Sequence, residues 1–189
     1  MFLRSSFLIV VLFFTSCSYQ SSLQEVKTPK KTICIPYAKG DGDGTFTAIL
    51  YEKMAKKGLF RVSRSCGDLK LLIQLENPST ESVGFRYETN LDGVLGQRLV
   101  ASEEEARIVA RMELVDLRKC QTVWGPICVK EEVRFDFAPD TSPQTDITFS
   151  AGQVDFEPAA KDAVMEPLYN RLADKICELL WVYSIDHAL

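Results

Sequence analysis

The chain has 189 residues, of which 46% are hydrophobic and 25% are charged, and its formal net charge at pH 7 is −4. This length and apolar content suit a single domain with a substantial hydrophobic core. The mildly acidic balance argues against nucleic-acid binding, because proteins that bind nucleic acid hold its phosphates mainly with basic surface.

Residues 1–16 have the pattern of a secretory signal peptide. One positive charge, Arg4, precedes an apolar run over residues 7–14, and small residues lie directly before Cys17. The run is too short to cross a bilayer, which takes about 20 apolar residues. The arrangement resembles a bacterial lipobox, in which Cys17 would receive a diacylglycerol and become the first residue of the mature protein.

A polar segment, residues 17–30, follows the predicted cleavage site and contains too little apolar surface to fold. We therefore expect a flexible tether between a lipid anchor and one domain over residues 31–185. Ser18 is not the Asp that retains many such lipoproteins at the inner membrane, so we expect attachment to the outer membrane, on its periplasmic side. A plain cleaved signal peptide with an unmodified Cys17 is the alternative.

Six cysteines are present, and an exported chain can form disulfides. If Cys17 is lipidated, the other cysteines are odd in number, so at least one stays free or pairs between chains. None has the CxxC spacing of a metal site or redox centre. Geometry allows a disulfide within either of two pairs, which are Cys34 with Cys66 and Cys120 with Cys128.

Two helices are predicted. The first follows the glycine-rich turn of residues 40–44, in which Asp41 or Asp43 would cap the helix, and Gly58 would end it. Its apolar positions are Phe46, Ile49, Leu50 and Met54. The second covers residues 157–183, where Pro167 should kink the helix or mark its true start. Its apolar stripe is Val164, Leu168, Leu172, Ile176 and Leu180.

A short buried strand is predicted over residues 32–37, and alternating apolar residues indicate four more strands. Their apolar faces are Leu69, Leu71, Ile73 and Leu75; Val83, Phe85 and Tyr87; Ile108, Ala110, Met112 and Leu114; and Val129, Val133, Phe135 and Phe137. A turn near residues 119–122 would join the last two as a hairpin. We predict an α+β fold, a two-layer sandwich with two helices on one face of a mostly antiparallel four- to five-stranded sheet.

Several sequence patterns are candidates for metal binding, phosphate binding or catalysis, but none has the residues or spacing that such a site requires. The turn of residues 40–44 fails the EF-hand spacing, since starting the loop at Asp41 puts Phe46 where glycine is needed, and it lacks the Lys-Ser or Lys-Thr of a phosphate loop. His187 lies too near the end of the sequence for a locked catalytic imidazole. The run of Glu103, Glu104 and Glu105 is typical of a solvated face. We therefore expect no catalytic residue, no cofactor and no metal.

Basic residues are frequent on the predicted polar sheet face, where acidic neighbours offset them. They are Lys70, Arg86, Arg107, Arg111, Lys130 and Arg134. The turn residues Arg118 and Lys119 have fewer acidic neighbours, and a paired cationic tip can bind an anionic lipid head group.

Four stretches share a resemblance to one family, in the order of the predicted elements. They are Ile35-Pro36-Tyr37 with Gly40-Asp41-Gly42-Asp43-Gly44 and Thr47; Val83-Gly84-Phe85-Arg86-Tyr87; the hairpin of residues 110–129 with Asp116 and Trp124-Gly125-Pro126; and the closing helix with Pro167-Leu168 and Leu172-Ala173. Together they resemble the lipopolysaccharide-assembly lipoprotein family LptE over nearly all of the predicted domain. No single one of these motifs is specific.

The resemblance implies a two-layer sandwich anchored to the inner leaflet of the outer membrane. Such a protein would be the plug and partner of an LptD-type β-barrel and would help lipopolysaccharide reach the outer leaflet, without catalysis or a cofactor. The family's own lipopolysaccharide contacts find no matching motif, so Arg118, Lys119 and Arg86 are predicted as contacts from their charge alone. The alternatives are a periplasmic structural or secretion-system accessory lipoprotein and, less favoured, a lipid-anchored enzyme.

Overall fold

The computed structural model describes residues 31–65, 67–89, 95–137 and 157–186. The predicted signal peptide and tether lie outside the described residues, as do Cys17, Cys66 and His187. Within the described ranges the elements are β1 Thr32–Cys34, α1 Thr45–Lys57, β2 Arg61–Ser63, β3 Leu69–Leu75, β4 Ser79–Thr89, β5 Leu95–Asp116, β6 Gln121–Asp136 and α2 Glu157–Asp186.

The sheet is mixed. Strand β1 pairs in parallel with β2 and β3, whereas β5 pairs antiparallel with β3, β4 and β6. The α+β class with two helices is confirmed. The predicted sheet is matched in part: it has six strands among the described residues, and its longest pairings are antiparallel, but the parallel pairings of β1 make it a mixed sheet. Strand β2 was not predicted, because its three residues are too few to show alternation. The parallel pairings of β1 were not predicted either, because the sequence of a short apolar strand does not show the direction of its partners.

Strands β3 and β4 lie end to end along one edge of β5. Leu75 pairs with Ala110 and Ser79 pairs with Arg107, so the register continues across a short break. The break contains Pro78, which has no N–H to give to a ladder. Strand β6 covers the other edge of β5 only as far as Glu103. Beyond that point β4 and β5 continue as a two-stranded ribbon, which we call the β4–β5 ribbon.

One hydrophobic core joins both helices to one face of the sheet. The predicted stripe of α2 is buried throughout, and α1 buries Phe46, Leu50 and Met54 in the same cluster. Burial of each such side chain contributes about 1.5–3 kcal/mol. Gly58 ends α1 in the left-handed conformation, and its N–H donates to the carbonyl of Met54, as the sequence predicts. Pro167 lies inside a helix that starts at Glu157, so it does not mark the start of that helix.

Two predicted strands differ from the structure. Strand β1 ends at Cys34, since the following Pro36 cannot donate to a ladder. The apolar face predicted for Val83, Phe85 and Tyr87 is not buried: these side chains are 39%, 56% and 57% exposed. Phe85 and Tyr87 belong to the β4–β5 ribbon, and Val83 lies directly before it. Neither helix packs against β4 among the described residues.

Candidate functional site

The turn before α1 is a capping device made by two aspartates. The buried carboxylate of Asp41 accepts the Thr47 N–H at 2.8 Å, the Thr47 hydroxyl at 2.5 Å and, more weakly, the Phe46 N–H at 3.4 Å. Asp43 accepts the N–H and the hydroxyl of Thr45 at 3.1 and 2.7 Å. These bonds lower the pKa of Asp43, chiefly through the Thr45 hydroxyl. The sequence left the choice open between Asp41 and Asp43, and both accept N–H groups of the first turn, while Gly44 occupies the position directly before the helix.

The same turn is tied back to the chain that precedes it. The Thr47 hydroxyl oxygen accepts the Ala38 N–H at 3.1 Å while its proton goes to Asp41. Gly44 has φ +82°, and a Cβ there would lie 3.1 Å from the Tyr37 ring. The aspartates and glycines of this segment therefore have a structural explanation, namely helix capping and a close turn.

The outer sheet face carries a network of paired charges on β5 and β6. Arg107 Nε lies 2.8 Å from Glu132 Oε1, and Arg134 Nε lies 3.0 Å from Glu105 Oε2. Lys130 also pairs with Glu132. Hydrogen bonds from Lys130 first, and then from Arg107, lower the pKa of Glu132. This face is polar and electrically balanced, as the sequence predicts.

Glu104 is an exception among the three consecutive glutamates. It is buried on the helix side of β5, so the expectation of a solvated face is wrong for this residue. The ammonium of Lys161 at the start of α2 lies 3.2 Å from Glu104 Oε2, close enough for an ion pair though not aligned for a hydrogen bond. The pair links the first turns of α2 to β5, and removal of either partner would leave a charge poorly compensated.

The predicted cationic tip is the turn between β5 and β6. Asp116 Oδ1 accepts the N–H groups of Arg118 and Lys119 at 2.8 and 3.1 Å, which fixes the turn. The guanidinium of Arg118 pairs with Asp68, which lies directly before β3, and remains 79% exposed. Lys119 is exposed and has no ion-pair partner among the residues that the structure describes. The tip therefore keeps cationic surface, although Asp68 offsets part of it.

The structure does not bring the three predicted lipopolysaccharide contacts together. Arg118 and Lys119 lie at the end of the sheet where β1 and β3 begin, whereas Arg86 lies on the β4–β5 ribbon. From Asp68, which Arg118 contacts, the chain runs along β3 and β4 to reach Arg86, a path of up to about 60 Å at 3.3 Å per residue. They cannot form one compact site.

The two predicted disulfides have different outcomes in the structure, since Cys120 and Cys128 are exposed and Cys34 is buried. Cys120 and Cys128 are free, exposed thiols. Strand β6 separates them by roughly 20 Å or more, far beyond the Cα spacing of a disulfide, so this pairing is wrong. Cys34 is buried, and its thiol donates to the carbonyl of Arg64 at 3.6 Å. The pairing of Cys34 with Cys66 stays a prediction, because Cys66 lies outside the described residues.

The β4–β5 ribbon carries an exposed apolar patch that the sequence pattern placed in the core. Tyr87 and Leu99 are ladder partners, and Phe85 lies one apolar position closer to the domain. Register shifts on both sides of Gly84 separate these pairs from the pairing of Ser82 with Glu104. Neither helix packs against β4 among the described residues, so the apolar side chains of the ribbon stay exposed.

No protein-family model matches this sequence, and the curated proteins contain no match to it. A neuraminyllactose-binding haemagglutinin homologue from Helicobacter pylori is similar in structure, with a TM-score of 0.50, 8% identity and coverage of 84% of this chain and 87% of that one. Rare lipoprotein B from Shewanella oneidensis has a TM-score of 0.46 and 11% identity, and the match covers 84% of this chain and 99% of that one. The minor lipoprotein of Acinetobacter baumannii has a TM-score of 0.46 and 9% identity, and the match covers 79% of this chain and 89% of that one.

At such low identity, the first likeness shows a shared fold and nothing about activity. Two of the three proteins are lipoproteins by name. Among the residues that the structure describes, no helix combines the length and apolar character needed to span a bilayer.

Proposed function

We propose that this chain is an outer-membrane lipoprotein that assists lipopolysaccharide assembly as the plug and partner of an LptD-type β-barrel. In this function Cys17 carries the lipid, and the domain acts through surface contacts and not through catalysis. The proposal rests on the lipobox-like sequence and on the family resemblance of four stretches that follow the order of the predicted elements.

The observation that carries the proposal is the outer sheet face with its paired charges. A domain that lies inside a barrel lumen meets polar walls and water, so it needs a surface with both signs of charge. Arg107, Glu132, Arg134 and Glu105 supply such a surface over the middle of β5 and β6. Because their charges are largely satisfied within the protein, the face can lie beside a polar wall at little cost in desolvation.

A binding role also fits the carboxylates that resemble candidates for catalysis or metal binding. Asp41 and Asp43 hold backbone N–H groups and threonine hydroxyls, and Glu104 pairs with Lys161. Each of these carboxylates has a structural task. We therefore propose that the chain has no enzymatic activity.

The direct test is recovery of partners from membranes. A tagged full-length chain, purified from detergent-solubilised envelopes, should bring down a large outer-membrane barrel protein together with lipopolysaccharide. A Cys17→Ser variant is the matched control, because it removes only the proposed lipid attachment. Mass spectrometry of the N-terminal peptide should find fatty acyl groups on Cys17 in the wild-type chain.

Recovery of secretion or other envelope components, without a barrel, would instead favour the accessory lipoprotein. Photo-crosslinkers at Arg86 and Arg118 extend the test, since they lie at opposite ends of the sheet. We expect adducts to the barrel or to lipopolysaccharide at one or both positions. If neither position gives such an adduct in intact cells, the proposed function is wrong.

A further inference from the structure

We infer that one end of the domain is a docking surface for the phospholipid bilayer in which the lipid anchor is held. We call this end the anchor pole, and its exposed residues are Lys31, Arg61, Arg118, Lys119, Trp181 and Ile185. The inference rests on the proposed lipidation of Cys17, and it adds a contact that a flexible tether alone does not require.

Backbone hydrogen bonds bring the first residues of three strands to this end. The carbonyl of Lys31 accepts the Arg61 N–H at 3.1 Å, where β2 begins. The carbonyl of Thr32 accepts the Asp68 N–H at 2.7 Å, where β3 begins. The carbonyl of Asp68 in turn accepts the Leu117 N–H at 2.9 Å from the β5–β6 turn. The turn that carries Arg118 and Lys119 therefore lies beside the point where the chain enters the domain.

Helix α2 ends at the same pole. Lys161 at its start reaches Glu104, and near its end the Tyr183 ring lies 5.3 Å from the ring of Trp124, close to the β5–β6 turn. Trp181 also shares a shallow groove with Leu59, which lies two residues before Arg61. The last turns of α2 thus place Trp181 and Ile185 next to the basic residues.

The chemistry of the anchor pole fits the membrane interface. Trp181 and Ile185 are one helical turn apart and are 51% and 56% exposed. Tryptophan sits favourably at the level of lipid head groups, and an aliphatic side chain enters the boundary with the acyl chains, while lysine and arginine reach the phosphates. Lys31, Arg61 and Lys119 have no ion-pair partner among the described residues.

The acidic groups at this pole do not cancel its basic character at the sheet end. Asp68 accepts the Thr32 N–H and the Arg118 guanidinium, and Asp116 accepts two N–H groups of the turn. Glu178 and Asp186 are exposed on α2 and reduce the net charge there. We therefore expect the apolar pair on α2 and the basic residues at the sheet end to contact the bilayer at the same time, with each group contributing weakly to the affinity.

Chain length favours this end as the one that meets the bilayer. The segment from Cys17 to Lys31 can span at most about 50 Å when fully extended. It joins the domain at the anchor pole, whereas Phe85 on the β4–β5 ribbon lies up to about 55 Å farther along the sheet. The anchor pole is therefore the part of the domain that the tether keeps closest to the membrane.

Photo-crosslinking of the lipidated full-length chain tests the inference with a matched pair of positions. Ile185 and Phe85 are both 56% exposed but lie at opposite ends of the molecule. In vesicles of phosphatidylethanolamine and phosphatidylglycerol, a crosslinker at position 185 should label phospholipid about tenfold more than one at position 85, as interfacial placement predicts. Equal labelling at the two positions would overturn the inference.

A second measurement isolates the charges. The Cys17→Ser chain should sediment with phosphatidylglycerol vesicles, and Lys119→Gln and Arg61→Gln should each weaken this binding by about fivefold. Arg86→Gln, on the ribbon, is the control and should leave it unchanged. If the three variants bind alike, or if position 185 labels lipopolysaccharide in preference to phospholipid in mixed vesicles, the inference is wrong. A failure to recover a barrel protein would refute the proposed function and leave this result unaffected.

Discussion

The guanidinium of Arg118 lies 2.5 Å from a carboxylate oxygen of Asp68, so the exposed β5–β6 turn is tied to the start of β3. The other oxygen of the same carboxylate accepts the N–H of Thr32 at 3.0 Å. One aspartate therefore joins the first strand of the domain to a turn that lies far from it in sequence. It also decides how much of the Arg118 charge remains available to a partner.

This arrangement predicts a particular acid sensitivity. The Thr32 N–H first, and then Arg118, lower the pKa of Asp68 below its ordinary value of 3.8. A carboxyl with a depressed folded pKa stabilises the protein above its unfolded pKa, and that contribution is lost as the pH falls through the lower folded value. Asp68→Asn should therefore lower the urea midpoint at pH 7, and the difference from the wild type should shrink below about pH 4.

Asp136→Asn is the control for this experiment, because Asp136 is exposed at the end of β6 and has no ion-pair partner among the described residues. It should change the midpoint little at either pH. A gap between Asp68→Asn and wild type that stays constant from pH 7 to pH 3 would contradict the assigned role of this carboxylate.

The two caps of α1 should differ in their importance. Asp41 is buried and holds two N–H groups and a hydroxyl, whereas Asp43 is exposed and holds one of each from Thr45. Asp41→Ala should lower the free energy of unfolding by about 2 kcal/mol, at the upper end for a helix cap, because the freed donors are partly buried. Asp43→Ala should cost about 0.5–1 kcal/mol. Chemical denaturation of both variants measures the order, and the reverse order would contradict it.

Thiol reactivity should separate the cysteines by burial. Burial raises the pKa of Cys177 to about 11, and its side chain is inaccessible. At pH 8 only about one molecule in a thousand would carry the reactive thiolate, against roughly a tenth for a cysteine with the unshifted pKa of 9.0. In the reduced native protein, iodoacetamide should therefore label Cys120 and Cys128 quickly and Cys177 only after unfolding. Peptide mapping by mass spectrometry reads each site, and comparable native rates would refute the assignment.

The raised pKa of Cys177 also contributes to a loss of stability at alkaline pH. A thiol whose folded pKa is raised stays protonated in the folded chain at a pH where the unfolded chain has lost its proton. Its contribution to stability is thus complete below the unfolded value of 9.0 and is lost as the pH rises from there towards about 11. Cys177→Ala should reduce the loss of stability between about pH 9 and pH 11, and an unchanged profile would assign that loss to other groups, such as the tyrosines whose pKa values burial also raises.

The sequence predicted most of what local periodicity can encode. The apolar positions of β3 and of the stripe on α2 are buried as expected, because each element has one dry face and one wet face. The caps at Asp41 and Gly58 followed from turn chemistry within a few residues of the helix. These features depend on neighbours in sequence, and so they can be read from the sequence.

Long-range features could not be predicted in this way. The first half of β5 shows no clean alternation of apolar and polar residues, and so the pattern suggested only its second half. The parallel pairing of β1 with β2 and β3 depends on how the chain connects these strands, and the periodicity of apolar residues contains no information about such connections. The anchor pole is assembled from residues near 31, 61, 118 and 181, and no local motif reveals such a surface.

The β4–β5 ribbon allows a direct comparison of two leucines in the same sheet. Leu71 on β3 is fully buried under the helices, whereas Leu99 on β5 is 55% exposed. Leu71→Ala should cost about 3 kcal/mol, because it removes buried methyl groups and leaves a cavity. Leu99→Ala should cost less than about 1 kcal/mol, as is usual for exposed positions. Urea denaturation of the two purified variants tests this contrast. A cost at Leu99 equal to that at Leu71 would mean that the ribbon patch is covered within the isolated protein.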